Sequence, residues 1–228
     1  MATQFANGKI VTDGLVLALN AADKNSYPGS GTTWFDTSGR GNHCILYNGP
    51  AFSTTYGGLI TFDGVDDYGL IAYNASSPLF SSISSYTIMS AFINLNTDGN
   101  WHHLFGFADG GNNIDEWYNG PNGTGCYHNN SGQTVNSTTS LRNAGMNIWC
   151  HAYTGGDNRL YKNAVLDVSG AQNSIADPTY GFGIARTPDS LAYFSNYQLS
   201  LLLVYNRALT ASEILQNYNA QKSRFNLT

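Results

Sequence analysis

The chain is poor in charge. Only 11% of its 228 residues are Asp, Glu, Lys or Arg, under half of the ~25% usual in soluble domains. Its ten Lys and Arg are scattered and the formal net charge is −5. A concentrated basic face that would hold phosphates is therefore missing, which excludes nucleic acid as a partner. No apolar run approaches the ~18 residues that a membrane-spanning helix needs, so no membrane partner is expected. Met1–Lys9 lacks a charged stretch followed by an apolar one, so no secretory signal peptide is expected either. Cys44, Cys126 and Cys150 are an odd number without a C-x-x-C pair. They are expected as small buried apolar residues, not as disulfides or metal ligands.

What the chain has in quantity is Gly, Asn, Ser, Thr and Tyr, a mixture that suits strands and turns and starves helices. Gly14–Asn20 predicts a first strand, too short and too Gly-flanked for a helix. Further short strands are expected at His43–Tyr47, Leu59–Phe62 and Tyr68–Ala72, and Tyr86–Leu95 is so continuously apolar that it predicts a strand buried on both faces. Thr97–Asn147 is the least regular stretch, with Gly/Asn clusters between aromatic and His residues, and predicts loops that carry a binding surface. Strands are expected again at Ile148–Thr154, Arg159–Lys162, Val165–Val168, Tyr180–Ala185 and Gln198–Tyr205. One helix is marked: Thr210 and Glu213 have capping-box spacing, Leu209 and Ile214 that of a hydrophobic staple, and Ile214, Leu215 and Tyr218 are expected to dock on a sheet. The fold class is all-β, a two-sheet antiparallel sandwich or jelly roll with one C-terminal helix. One domain over residues 14–220 is expected, with a lead segment (1–13) and a tail (221–228).

Several spaced motifs resemble the laminin-G-like, concanavalin-A-like family. Gly14–Ala22 resembles its opening strand, Asp36-Thr37-Ser38-Gly39-Arg40-Gly41-Asn42 its D-x-S-G-x-G-N turn, and Phe62-Asp63-Gly64-Val65-Asp66-Asp67-Tyr68 its F-D-G-x-D-D-Y corner. Tyr86–Ile93 is similar to the central strand, Trp149–Ala152 and Leu160–Asn163 to two later segments, and Val204–Ile214 to the closing Y-N-R-A-L-s-x-x-E-I. The likeness runs from Gly14 to Tyr218. Ala164 departs from it, standing where the family places Gly; a tight I′ turn wants φ > 0 there, so a different loop is expected. With its Met start and Ser26-Tyr27-Pro28-Gly29 loop, the chain resembles versions in structural proteins of bacterial viruses. That implies a virion location, or otherwise an extracellular one, with other virion proteins and further copies of the chain as partners.

The resemblance brings in glucanases, so catalysis has to be weighed. Retaining glycosidases need two carboxylates ~5 Å apart, and the laminarinase-type members supply them as E-x-D-x-E on one strand face. Here Asp115 and Glu116 are adjacent and predict opposite faces. No G-x-S-x-G or H-E-x-x-H occurs. The expectation is that the chain is not an enzyme. Adjacent His102 and His103 cannot both face one site, and zinc is not supported. Asp36, Asp63 and Asp66, with Asp67, lie in Gly-rich turns with oxygen donors suited to Ca²⁺; the same residues fit Asx-turns that bond their own backbone, and that reading is preferred because the spacing matches no dedicated calcium loop. No cofactor is required. Trp101, Asp115, Trp117, Tyr118, Tyr127 and His128 are the candidate contacts to a glycan, such as a cell-surface polysaccharide, or to a protein partner. Trp34, Phe35, Trp149, Tyr161 and Tyr205 are expected in the core. The functional expectation is a virion structural or surface protein with a lectin-like fold; a free lectin module and a degenerate polysaccharide hydrolase are the alternatives.

Overall fold

The computed structural model describes residues 8–81, 84–108, 113–119, 124–128, 134–142, 145–171 and 177–228, with backbone alone at 113–119, 124–128 and 134. In chain order the strands are β1 Leu15–Asn20, β2 Thr33–Trp34, β3 Cys44–Tyr47, β4 Ala51–Ser53, β5 Leu59–Asp63, β6 Tyr68–Ile71, β7 Ser85–Asn94 and β8 His102–Ala108. They continue as β9 Asn113–Asn119, β10 Thr124–His128, β11 Thr134–Ser140, β12 Asn147–Thr154, β13 Asp157–Lys162, β14 Val165–Ala171, β15 Phe182–Ile184 and β16 Asn196–Tyr205. Helix α1, Ala211–Gln221, and a 3₁₀ turn, Lys222–Phe225, close the chain.

These strands form two antiparallel sheets. The first runs β14-β13-β12-β7-β16-β5-β4; the second runs β11-β10-β9-β8-β15-β6-β3-β2. One edge of β16 is shared: β5 pairs with Asn196–Leu199 and β1 with Leu201–Tyr205. Aromatic and aliphatic side chains from both sheets, among them Phe62, Phe92 and Tyr197 of the first and Phe105, Phe107 and Phe182 of the second, fill the space between. On the outer face of the first sheet Met89, Ala91, Cys150, Leu201 and Leu203 are covered by Ile10, Val11, Ile214, Tyr218 and Phe225. The centre of the first sheet is thus buried on both sides, which is why β7 is buried along most of its length.

Expectation and structure part in four places. The stretch 97–147 carries strands β8 to β11, not loops: a meander of neighbouring strands satisfies its backbone groups by pairing, even where Asn, Ser and Thr replace apolar residues. Phe35 is 41% exposed and lies outside the core, edge-on to His43. Leu215 is also exposed, because the buried face of α1 follows the i, i+3, i+4, i+7 row of Ile214, Asn217, Tyr218 and Gln221. The β13–β14 connection keeps two residues with positive φ, Asn163 (50°) and Ala164 (63°), so the tight primed turn is retained despite the alanine. The cap of α1 is as expected: Glu213 N–H donates to Thr210 Oγ1 (3.3 Å) and Thr210 N–H to Glu213 Oε2 (2.9 Å). Cys44, on β3 of the second sheet, and Cys150, on β12 of the first, are buried free thiols, the former in the core between the sheets and the latter on the first sheet's outer face.

Candidate binding cleft

Three connections meet at one end of the sandwich: the β5–β6 turn, the β7–β8 loop and the β15–β16 loop. The last two are tied together by a buried amide network. Asn94 Oδ1 accepts from the backbone N–H and the Nδ2 of Asn96 (3.0 and 2.9 Å). Asn96 Nδ2 then donates to Ser195 Oγ (2.8 Å), and Asn196 N–H donates to Asn96 Oδ1 (2.9 Å). The turn joins them by close approach. Gly64 has φ +78°, and a Cβ there would fall 2.9 Å from Asn196 N, so a side chain is barred on two counts.

The β15–β16 loop is compact. Ser195 N–H donates to Ala185 O (2.9 Å), closing its ends. Inside, Arg186 Nη1 donates to Thr187 O (3.1 Å) and Ser190 O (2.6 Å), and the guanidinium lies 4.0 Å over the ring of Tyr68. Tyr68 itself stacks on Tyr47 at 4.6 Å. This arrangement pins the following segment, where Tyr193 adopts φ +57°, a left-handed conformation costly for a bulky residue. His103 N–H donates to Tyr193 O (2.8 Å), holding it there.

Between these elements lies an open cleft of about 590 Å³. Gly64 forms part of its wall, Gly99, Asn100, Trp101 and His102 a second side, and Tyr193 with Phe194 a third. Trp101 is 43% exposed and Tyr193 51%. His102 is bound at both ring nitrogens, Nδ1 to Phe194 O (2.6 Å) and Nε2 to Asp98 Oδ1 (2.5 Å). The hydrogen bond from His102 holds the Asp98 carboxyl below its ordinary value, aided by Asn100. Its neighbour His103 is fully buried, and desolvation pushes it down to about 3, so it stays neutral. Only one of the two histidines reaches the cleft, as their spacing predicts.

Beside Gly64 stand Asp63, Asp66 and Asp67, with carboxylate oxygens within 4.8 Å of one another. Asp63 Oδ1 accepts from the N–H groups of Val65 (2.8 Å), Asp66 (3.2 Å) and Asp67 (3.3 Å), the Asx-turn geometry expected of the corner. Asp36 is no member of this group. Its Oδ1 accepts from Ala18 N (2.9 Å) and Ser38 N (2.9 Å) and its Oδ2 from Asn42 N (3.0 Å), so it organises its own turn.

Of the glycan candidates, Trp101 lines the cleft. Asp115, Trp117 and Tyr118 fall on β9 and Tyr127 and His128 on β10, where side chains lie outside the described residues. Their backbone register is defined. Tyr118 pairs with His103, Trp117 with Phe105 and with Tyr127, Tyr127 with Val135, and Asp115 with Phe107. Phe105 and Val135 are core residues, and Phe107 is about 17 Å along β8 from His102. Asn100, His102, Tyr193 and Phe194 were not among the sequence candidates. The available signal was a pair of adjacent aromatics inside the Ser/Asp/Pro-containing stretch 187–195, between two strands.

A family model described as the concanavalin A-like lectin/glucanases superfamily, of the laminin-G type, matches residues 63–215. No curated protein matches the chain in sequence. Among solved structures, a Trypanosoma rangeli sialidase in complex with sialic acid superposes with a TM-score of 0.72 at 16% identity, over 95% of this chain and 34% of the sialidase. A botulinum neurotoxin type C structure, whose cell entry depends on two ganglioside molecules, gives 0.73 at 12% identity, over 92% of this chain and 52% of that one. The receptor-binding domain of the botulinum neurotoxin C/D mosaic gives 0.70 at 15% identity over the same shares. These likenesses show the fold, and the chain spans about a third of the sialidase chains and half of the toxin chains it matches. The sialidases correct one expectation: the exclusion of enzymatic activity is overturned. It rested on a missing carboxylate pair, and sialidases employ a tyrosine nucleophile, so that absence carries no weight against glycoside hydrolysis of their kind.

Proposed function

The chain belongs to the concanavalin A-like lectin/glucanases superfamily, and from that premise we propose that it is a carbohydrate-binding module whose ligand lies in the cleft between Trp101 and Tyr193. The observation that carries this reading is the pair of exposed aromatic side chains, Trp101 and Tyr193, that line one cleft together with Asn100. A pyranose ring has an apolar C–H face and a rim of hydroxyls; aromatic rings match the first and the Asn100 amide the second. The cleft volume is within the range of small-ligand sites and suits one or two sugar units. Its walls are fixed in advance by the Asn94–Asn96–Ser195 network and by Arg186, which reduces the ordering cost of binding. Screening on a glycan array tests the reading, with mass analysis of the recovered glycans to tell binding from cleavage. Retention of any glycan by the native chain and its loss in Trp101→Ala is the expected result; no retention of any glycan refutes it.

A second reading, assembly with other protein subunits as in a virion surface or tail component, is favoured by a different surface. On the outer face of the second sheet, Ile45 and Tyr47 of β3 are exposed beside Leu70 and Tyr68 of β6, and Phe35 is exposed near its edge. Contiguous apolar side chains of this kind mark protein contacts. Native mass measurement across a concentration series checks it: a monomer at every concentration argues against self-assembly, and Tyr47→Asp is expected to dissociate any oligomer.

A further inference from the structure

We infer that the cleft selects by charge, taking neutral or cationic sugars and discriminating against acidic ones, so that of two glycans differing only in a terminal sialic acid it binds the asialo form. This rests on the reading of the cleft as a glycan site. The turn that supplies Gly64 to the wall carries Asp63, Asp66 and Asp67, crowded within 4.8 Å, with Asp63 and Asp66 exposed. Burial raises the Asp63 carboxyl, but the backbone N–H groups of Val65, Asp66 and Asp67 outweigh it and hold the group below its ordinary range. Asp63 is therefore charged at neutral pH. Asp67 is shifted the other way, by burial first and then by the negative charge of Asp63 and, less, Asp66. Like charges crowd here.

On the opposite side Asp98 precedes Gly99 and Asn100, and its carboxylate is hydrogen-bonded to His102 Nε2 (2.5 Å) and Asn100 Nδ2 (2.7 Å). No Lys or Arg is among the described residues that line the cleft. The guanidinium on the adjoining loop, Arg186, is only 7% exposed and directs Nη1 at Thr187 O and Ser190 O, with its plane over Tyr68. A sugar carboxylate calls for a fork of donors, which Arg supplies best. From the loops that form this cleft it would meet the field of Asp63, Asp66 and Asp98 instead. Hydroxyls and an ammonium group meet no such penalty.

Isothermal titration with paired oligosaccharides, identical except for a terminal sialic acid, tests this in excess EDTA at neutral pH and at low and high salt. The asialo member is expected to bind about fivefold or more tightly at low salt, with the gap narrowing as salt screens the turn. Asp66→Asn, at an exposed side chain, is expected to improve the sialylated member only, and Asp66→Glu to leave the gap as it is. If the sialylated member binds equally or better while Trp101→Ala abolishes binding of both, the charge inference is overturned and the glycan site stands. If neither member nor any other glycan binds, the site reading falls with it.

Discussion

At the scale of single residues, Trp101 and Tyr193 have the clearest functional consequence. Both are large, exposed and attached to loops that are otherwise tightly bonded, so truncating either removes contact area without opening the core. Trp101→Ala and Tyr193→Ala are each expected to weaken glycan binding about tenfold or more, the loss associated with an aromatic anchor, while the thermal midpoint changes little. Tyr193→Ala also removes a bulky side chain from a left-handed backbone position. A large fall in its midpoint would mean that the tyrosine holds the loop instead of the ligand. Trp101 was recoverable from sequence because a lone Trp between polar residues stands out. Tyr193 was not, since its partner in the cleft is 92 positions away in the chain and the two loops are brought together by tertiary hydrogen bonds such as Asn96–Ser195 and His102–Phe194.

At the scale of elements, the β13–β14 turn and the cap of α1 make opposite points. The turn holds Ala164 at φ 63°, where an L-residue pays about 1 kcal/mol that glycine avoids. Ala164→Gly is therefore expected to raise stability by roughly 1 kcal/mol in urea unfolding, with the m-value unchanged; a loss would mean that the methyl group's packing on the core outweighs the strain. The helix cap is well made. Arg207 binds both carboxylate oxygens of Glu213 (2.6 and 3.0 Å), and this hydrogen bonding, followed by that of the Thr210 N–H, pulls Glu213 down to about 2. A carboxyl depressed in the folded state adds stability above its unfolded value near 4.5 and loses it as pH falls toward 2. Glu213→Gln is thus expected to lower the midpoint at pH 7, by an amount corresponding to about 1 kcal/mol, and to match the native chain near pH 2. The cap was readable from Thr210 and Glu213 alone, because it is local chemistry. Strand β11 was not, because its inward row alternates Val135 with buried Ser137, and an alternation half made of serine leaves no apolar period.

At the scale of the molecule, the ladder of motifs from the first strand to the helix conveyed the sandwich, but it said little about how the chain ends are used. Ile10 and Val11 before β1, and Phe225 after α1, pack on the outer face of the first sheet. Val11 N–H donates to Asn217 Oδ1 (2.8 Å), and Tyr205 OH donates to Val11 O (3.0 Å). At the other terminus Arg224 donates from Nε to Tyr56 O (2.7 Å), from Nη1 to Asn20 Oδ1 (2.8 Å) and from Nη2 to Ser200 Oγ. Ser200 is the residue of β16 at which its partner changes from β5 to β1, so the guanidinium fastens the point where the sheet is divided. Burial pulls Arg224 down to about 10, still charged at any physiological pH. Phe225 beside it is buried. We therefore propose that the folded unit takes in Ile10–Val11 and Lys222–Phe225, beyond the limits of 14 and 220 expected from the motifs. Ending the chain at Ala220 would remove the buried Phe225 side chain, whose burial contributes about 2 kcal/mol. It would also leave the acceptors at Tyr56 and Asn20 without their charged donor, at roughly 1.5–3 kcal/mol for each bond to a charged group. The truncated chain is expected to unfold at markedly lower urea, whereas Arg224→Lys, which keeps the charge but not the three-way fork, should lose part of that amount. If the chain ending at Ala220 unfolds at the same urea concentration as the full chain, the segment is a tail and the domain ends with α1.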